Sequence, residues 1–292
     1  MLDTLAVHRS RTRIPALSLE RPTTIDAACR ILAESGDQAA ICGGGIDLIN
    51  RLKTGQAAGV TRLIWLSSIG ELRGVRQIGD RLEIGAGTTH EALAGDPALR
   101  ARYPSIAAYL GGLGNIRIRV QGTVGGNVMA GEPGYEILPL LQVLDATLHF
   151  VDPGTFGPLL VPARRFDRAM CESLRGKLLV TISFLVRPLT VRWTRQLRPV
   201  VGLVAAWEQR ERGIVGGAAA LAGANFEPVW SELPWDTPLS AERLMESSAT
   251  LARDWASGLP AIAASAGSGT AYCRQVAPVL LRRVLSEAGQ RP

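Results

Sequence analysis

Two glycine-rich segments about eighty residues apart carry the strongest chemical signal in this chain: Ile41-Cys42-Gly43-Gly44-Gly45-Ile46-Asp47-Leu48 and Gly122-Thr123-Val124-Gly125-Gly126-Asn127. Glycine reaches positive φ and lets a ligand approach the main chain closely. Successive backbone N–H groups that face one concavity form an anion nest. Both segments read as strand-to-loop corners, and a pair of them can hold a diphosphate or phosphate ester from two sides. A single glycine turn is more often just a tight turn, so the inference rests on the pair.

Other chemistries fit poorly. A dinucleotide site of the Rossmann kind packs its glycines into one turn that opens a helix, not into two distant segments. There is no GxxxxGK[ST] run and no GxSxG elbow, and His8, His90 and His149 stand apart from any nucleophile. His90 follows two threonines at an expected helix start, which predicts a capping or surface role. Glu132 and Glu136 follow the second segment and read as a loop acid and an acceptor for a ligand hydroxyl rather than an acid–base pair. Cys29, Cys42, Cys171 and Cys273 lack CxxC spacing or a nearby histidine, which argues against zinc, an iron–sulfur cluster or a disulfide framework. No catalytic residue and no metal ligand is assigned. Any redox chemistry would then be a cofactor's, with the protein supplying position and electrostatics.

The elements that must position the glycines are legible in outline. Thr24 is expected to cap a helix with an apolar stripe of Ala27, Ile31 and Leu32, ended by Gly36. A short strand at 39–42 then runs into the first segment, and a helix follows from Ile46 to Lys53. A strand at 62–66 and a hairpin turning at Gly79-Asp80 come next, followed by a capped start at Thr88-Thr89 and a helix over 103–113. Ile116-Arg117-Ile118-Arg119-Val120 alternates and predicts a half-buried strand delivering the second segment. Later strands are expected near 148–150 and over 178–182. A linker at 187–198 separates a C-terminal part with strands over 200–207 and 214–222 and helices over 240–251 and 272–285.

At 292 residues, 47% hydrophobic, the chain can bury the core of two domains. Its net charge of +6 comes from dispersed arginines rather than a basic block, which argues against nucleic acid. No apolar run approaches the roughly 20 residues of a membrane helix, and no apolar stretch follows Arg9, Arg11 and Arg13, so a cytoplasmic location without a secretory signal is expected.

The residues also resemble a known family, the FAD-binding medium subunit of the molybdenum hydroxylases (the xanthine dehydrogenase and aerobic carbon monoxide dehydrogenase group). Gly43-Gly44-Gly45-Ile46-Asp47-Leu48 is similar to its AGGTDL loop, and 117–127 to its QIRNxATIGGN segment. Leu66 to Leu72 and Ile84 to His90 look like its LSxIxEL and IGAxTTH stretches. Ala266-Gly267-Ser268, Tyr272-Cys273-Arg274 and Leu280 to Arg283 look like its closing helix. The match runs over about residues 20 to 290.

The resemblance implies an α+β chain. Residues 1–190 would form a two-part FAD-binding domain of the vanillyl-alcohol-oxidase (PCMH) type, with sub-units about 1–68 and 69–190. Residues 191–292 would form a small α+β domain with a three-stranded antiparallel sheet. The FAD diphosphate would lie between Gly43–Leu48 and Thr123–Asn127, with Ile41 and Cys42 leading into the first loop and Gly122 into the second. Ala130, Tyr135 and Glu136 would line the rest, and Leu178 or Leu179 the adenine or ring. The function implied is an oxidoreductase subunit. It would take electrons from iron–sulfur clusters on a small subunit, fed by a large molybdopterin subunit, and pass them through flavin to an acceptor, in a dimer of heterotrimers. The chain departs from the family at Ile46 (usually Thr), Val120 (usually Asn), Glu136 (usually Asp) and Leu197 (usually an acid). Those departures leave a second reading, a flavin-poor structural subunit of the same complex. A third is a stand-alone reductase resembling the UDP-N-acetylenolpyruvoylglucosamine reductases, which carry similar glycine turns.

Overall fold

The computed structural model describes residues 14–195, 201–210, 213–223, 226–233, 235, 239–259 and 269–286. The first layer comprises β1 (Ser18–Glu20), α1 (Ile25–Ser35), β2 (Ala39–Cys42), α2 (Ile46–Lys53) and β3 (Arg62–Trp65). Its strands form a parallel sheet in the order β1-β3-β2. The Thr24 hydroxyl accepts from Ala27 N at 3.1 Å, and Gly36 ends α1 at φ 50°. Ala28, Cys29 and Leu32 of α1 pack on Ile64 and Leu66.

The hairpin β4 (Val75–Ile78) and β5 (Arg81–Gly85) begins the second layer. Helices α3 (His90–Gly95), α4 (Pro97–Arg102), α5 (Pro104–Gly111), α6 (Ile116–Gln121), α7 (Val124–Met129) and α8 (Ile137–Val143) follow. The chain returns through β6 (Thr147–Val151), β7 (Pro158–Pro162), α9 (Arg168–Ser173) and β8 (Leu178–Leu185). These strands make a five-stranded sheet in the order β4-β5-β8-β6-β7, antiparallel throughout. Leu178 belongs to the first layer's core while its neighbour Leu179 belongs to the second's. Successive strand residues point to opposite faces, so β8 ties the two layers together.

Residues 116–121 correct the sequence expectation, since they are helical. The Asn115 side chain caps α6, accepting from Ile118 N at 3.1 Å, and Arg119 reaches Glu91 of α3 at 2.8 Å. The alternation Ile-Arg-Ile-Arg-Val imitates a strand, but Ile116, Ile118 and Val120 are all exposed and no apolar face is buried. A six-residue helix is too short to display its own period, and the cap decides the local structure.

The C-terminal sheet is also larger than expected. It is four-stranded, in the order β12-β11-β10-β9, built from β9 (Leu189–Thr194), β10 (Gly202–Arg210), β11 (Gly213–Gly223) and β12 (Phe226–Glu232). The segment read as linker supplies β9. Helices α10 (Ala241–Ser257) and α11 (Gly269–Ser286) cover one face. Leu203, Ala205 and Trp207 of β10 face those helices, whereas Val204 and Ala206 join the core around α8 and the five-stranded sheet. Trp230 Nε1 donates to Arg164 O at 2.9 Å, and the Arg164 guanidinium lies 4.4 Å from the Trp230 ring, fastening β12 to the turn after β7. No helix among the described residues is long and apolar enough to cross a membrane.

Candidate functional site

A cleft of about 1710 Å³ is walled by the first layer on one side and by α6, α7 and the start of β8 on the other. Pockets for drug-sized ligands measure about 300–1,000 Å³, so this one suits a longer molecule. Gly45 sits at φ 76° as the N-cap of α2, and no side chain caps the helix behind it. The opening amides of α2 are therefore free of a side-chain acceptor, at the positive end of the helix dipole. That is the geometry of an anion site.

The two glycine segments touch. A Cβ on Gly43 would lie 2.5 Å from Thr123 Oγ1, and one on Gly44 only 1.9 Å from Gln121 O. These two glycines are dictated by close approach. Only Gly45 among the glycines of the two segments has positive φ.

The second segment corrects the expectation of paired open nests. It is the start of α7, and its amides other than that of Thr123 are already engaged. Val124 N donates to Thr88 O at 3.0 Å, Gly125 N to Ala86 O at 2.8 Å and Asn127 N to Thr123 O at 2.9 Å. Gly126 N donates to Thr123 Oγ1 at 3.1 Å. What remains for a ligand is the Thr123 amide and hydroxyl proton and the Asn127 side chain, whose Oδ1 is buried without a partner among the described residues. The clamp is asymmetric, with a helix N-terminus of backbone donors on one side and one amide plus side chains on the other.

Arg51 holds the two sides in register. Its Nε pairs with Asp47 at 2.7 Å, and its Nη2 donates to Ala130 O and lies 3.3 Å from Glu132 Oε1. Burial pushes the Asp47 carboxyl up, with Arg51 opposing. Burial, then the charges of Asp47 and Glu132, push the Tyr135 phenol up. Farther along, Arg195 Nε meets Glu136 Oε1 at 2.7 Å, and its guanidinium lies 4.6 Å from the Tyr109 ring and 5.8 Å from that of Trp193. At another part of the wall, Lys177 pairs with Asp152; that hydrogen bond and one from Gly154 N hold the Asp152 carboxyl below the usual range.

The sequence profile of the family described as the FAD binding domain in molybdopterin dehydrogenase matches residues 15–184. This chain belongs to that family. The medium chain of carbon monoxide dehydrogenase from Afipia carboxidovorans is 31% identical over 284 residues, 93% of this chain and 96% of the relative. The beta subunit of caffeine dehydrogenase from a Pseudomonas species is 28% identical over 59% of each chain. Among solved structures, carbon monoxide dehydrogenase from Oligotropha carboxidovorans superposes with a TM-score of 0.76 at 26% identity, covering 95% of this chain and 99% of that one. Quinoline 2-oxidoreductase from Pseudomonas putida shares the fold, with a TM-score of 0.78 at 21% identity, covering 95% of this chain and 98% of that one.

Membership makes the chain a flavoprotein-type oxidoreductase subunit with FAD as its cofactor. The residues present fit that group. The uncapped α2 amides and the Thr123 hydroxyl are donors for a diphosphate, and the orphaned Asn127 oxygen is an acceptor for a sugar or ribityl hydroxyl. Ile41, Gly43, Gly44, Gly45, Ile46, Asp47 and Leu48 line the cleft, as do Gly122, Thr123, Gly125, Gly126, Asn127, Ala130, Tyr135, Glu136, Leu178 and Leu179. Cys42 does not; it is fully buried beneath Gly45, and burial pushes its thiol up to about 11. Glu136 lines the wall, but one of its oxygens is taken by Arg195.

Sequence reasoning missed Arg51, Lys177, Trp193 and Arg195, all of which line the cleft. Only Arg51 carried a signal, as the i+4 partner of Asp47. His90 is neither cap nor surface residue, because Thr89 is the cap and His90 is 1% exposed, facing the cleft. His8, Leu197 and the Ala266–Ser268 part of the closing motif lie outside the described residues.

Proposed function

We propose that this chain is the electron-transfer subunit of a molybdenum hydroxylase complex. It would take electrons from iron–sulfur clusters on a small partner subunit, themselves fed by a large molybdopterin-binding subunit, and pass them to an acceptor. The proposed assembly is a cytoplasmic dimer of heterotrimers. The observation that carries the cofactor half of this reading is the uncapped α2 N-terminus facing Thr123 and Asn127 across the cleft.

FAD, when bound, supplies the electron-transfer chemistry. The chain's own residues bind and orient. The α2 amides and Thr123 fix the diphosphate, with Ile41, Gly43 to Leu48 and Gly122 to Asn127 as the two sides. Arg51 keeps those sides together. Ala130, Tyr135 and Glu136 shape one stretch of wall, and Leu178 or Leu179 gives an apolar contact for the adenine or the flavin ring. We take residues 1–190 as the cofactor-binding unit, divided at about 68, and 191–292 as the C-terminal unit. The end of the parallel sheet at Trp65 and of the five-stranded sheet at Leu185 supports that division to within a few residues, β9 of the C-terminal sheet opening at Leu189.

Co-purification from the native host, with identification of the partner chains and a flavin absorption band near one per chain, is the expected result. A complex without flavin, or a chain that purifies with no molybdopterin or iron–sulfur partner, overturns the reading.

The flavin-poor alternative is favoured by one observation, Ile46 at the first position of α2, where it puts an apolar side chain on the cleft wall. Titration of the isolated chain with FAD separates the two readings, since a vestigial site shows no saturable binding.

A further inference from the structure

We propose that His90 is a cofactor-facing hydrogen-bond donor, its Nε2–H offered into the cleft beside the Gly122–Thr123 corner. The inference rests on the cofactor reading above and adds to it a residue outside the two glycine segments. His90 opens α3 and is 1% exposed, yet it forms part of the cleft wall. Its backbone N donates to Gly122 O at 3.0 Å, and the preceding Thr89 bridges to Thr123. The ring is thereby fixed against the corner. A Cβ on Gly122 would come 2.8 Å from the Ile118 carbonyl oxygen, which dictates glycine there, and 3.2 Å from His90 Cδ2 and 3.4 Å from Nε2, which places that edge of the ring against the corner.

The ring's two nitrogens differ. Nδ1 is sealed from solvent and has no hydrogen-bond partner among the described residues. A neutral imidazole carries one proton. On Nδ1 it would be a buried donor without an acceptor, the rarer and costlier orphan. On Nε2 it lies on the edge beside Gly122, where a ligand oxygen or nitrogen can accept it. Burial pushes the imidazole down to about 4, with no carboxylate acting against it, so the ring enters this role uncharged. A ligand acceptor in the cleft pairs the Nε2–H and leaves on Nδ1 only an unpaired acceptor, the cheaper of the two orphans.

The test uses the full chain, freed of flavin and titrated with FAD and, separately, with ADP. His90→Phe keeps the ring volume and deletes both nitrogens, whereas His90→Gln restores an N–H close to the position of Nε2. Losing one hydrogen bond to a charged or strongly polar group weakens binding by about tenfold to a hundredfold. That loss is expected for FAD in His90→Phe, with most of it regained in His90→Gln and unchanged melting of the unliganded chains. A parallel loss for ADP assigns the donor to the diphosphate half, and an effect on FAD alone to the flavin half; both support the inference. Undiminished FAD binding by His90→Phe overturns it, as does equal weakening by both variants, which marks a packing role. Nitrogen NMR of the native chain with labelled histidine reads the tautomer independently of any variant, and protonation on Nδ1 also overturns it. Failure of the native chain to bind FAD sinks the cofactor reading instead.

Discussion

Gly44 lies so close to Gln121 that a Cβ on it would stand 1.9 Å from the Gln121 carbonyl oxygen. The obstacle is backbone, so it cannot rotate away, and Gly44→Ala must push the two sides of the cleft apart. Overpacking of this kind costs about 1–3 kcal/mol. Chemical unfolding of the unliganded chain should show a loss in that range, and flavin retention should fall with it. Gly59→Ala is the control, since nothing lies within 4 Å of a Cβ there and its φ is ordinary.

Arg51 spans Asp47, Ala130 and Glu132. Arg51→Met keeps much of the side chain's length and removes these contacts, with an expected loss of about 1–2 kcal/mol in unfolding free energy. Arg51→Lys should recover little, because one ammonium cannot reproduce the forked guanidinium geometry. Weakened FAD binding should accompany both substitutions, measured by quenching of flavin fluorescence.

His90 gives the stability of the unliganded chain a signed pH dependence. Its folded value of about 4 lies below the ordinary 6.5, so between those values the unfolded chain binds the extra proton. The folded state is therefore favoured above that window and loses stability as pH falls through it, by at most about 3 kcal/mol. His90→Gln should abolish this part of the acid sensitivity. Urea midpoints of both proteins between those two pH values check it.

Ile46→Thr places a hydroxyl at the entrance of the uncapped α2. One added hydrogen bond to a charged diphosphate should tighten FAD binding by about tenfold to a hundredfold. Calorimetric titration of both proteins measures the gain, and an unchanged affinity would weigh toward the flavin-poor reading.

Legibility followed the range of the interactions concerned. The boundaries of α2, the hairpin at Gly79-Asp80 and the Thr24 cap depend on neighbours within a few residues, and sequence showed them. The glycine segments were visible as glycines, but the reason for Gly43 and Gly44 was not. Positive φ is a local property, whereas contact with Thr123 and Gln121 depends on chain far away in sequence. For the same reason the amides of α7 looked open, the acceptors of Val124 and Gly125 being Thr88 and Ala86 in the loop between β5 and α3, more than thirty residues earlier. The α6 error came from a period read over too few residues. The β9 strand was hidden because Leu189 to Thr194 follows a proline and resembled linker. Arg195 joins Glu136 only through the tertiary fold.

The C-terminal sheet has no solvent side over much of β10 and β11: Ala218 and Ala220 belong to one core, Ala219 and Leu221 to the other. It is a party wall. Stripping away α10 and α11 would bare a row that includes Leu203, Trp207 and Leu221, while the opposite row stayed built into the core behind α8. The cofactor-binding part therefore has no clean line along which to be cut free. A chain shortened before α10 should aggregate rather than survive as a smaller flavoprotein.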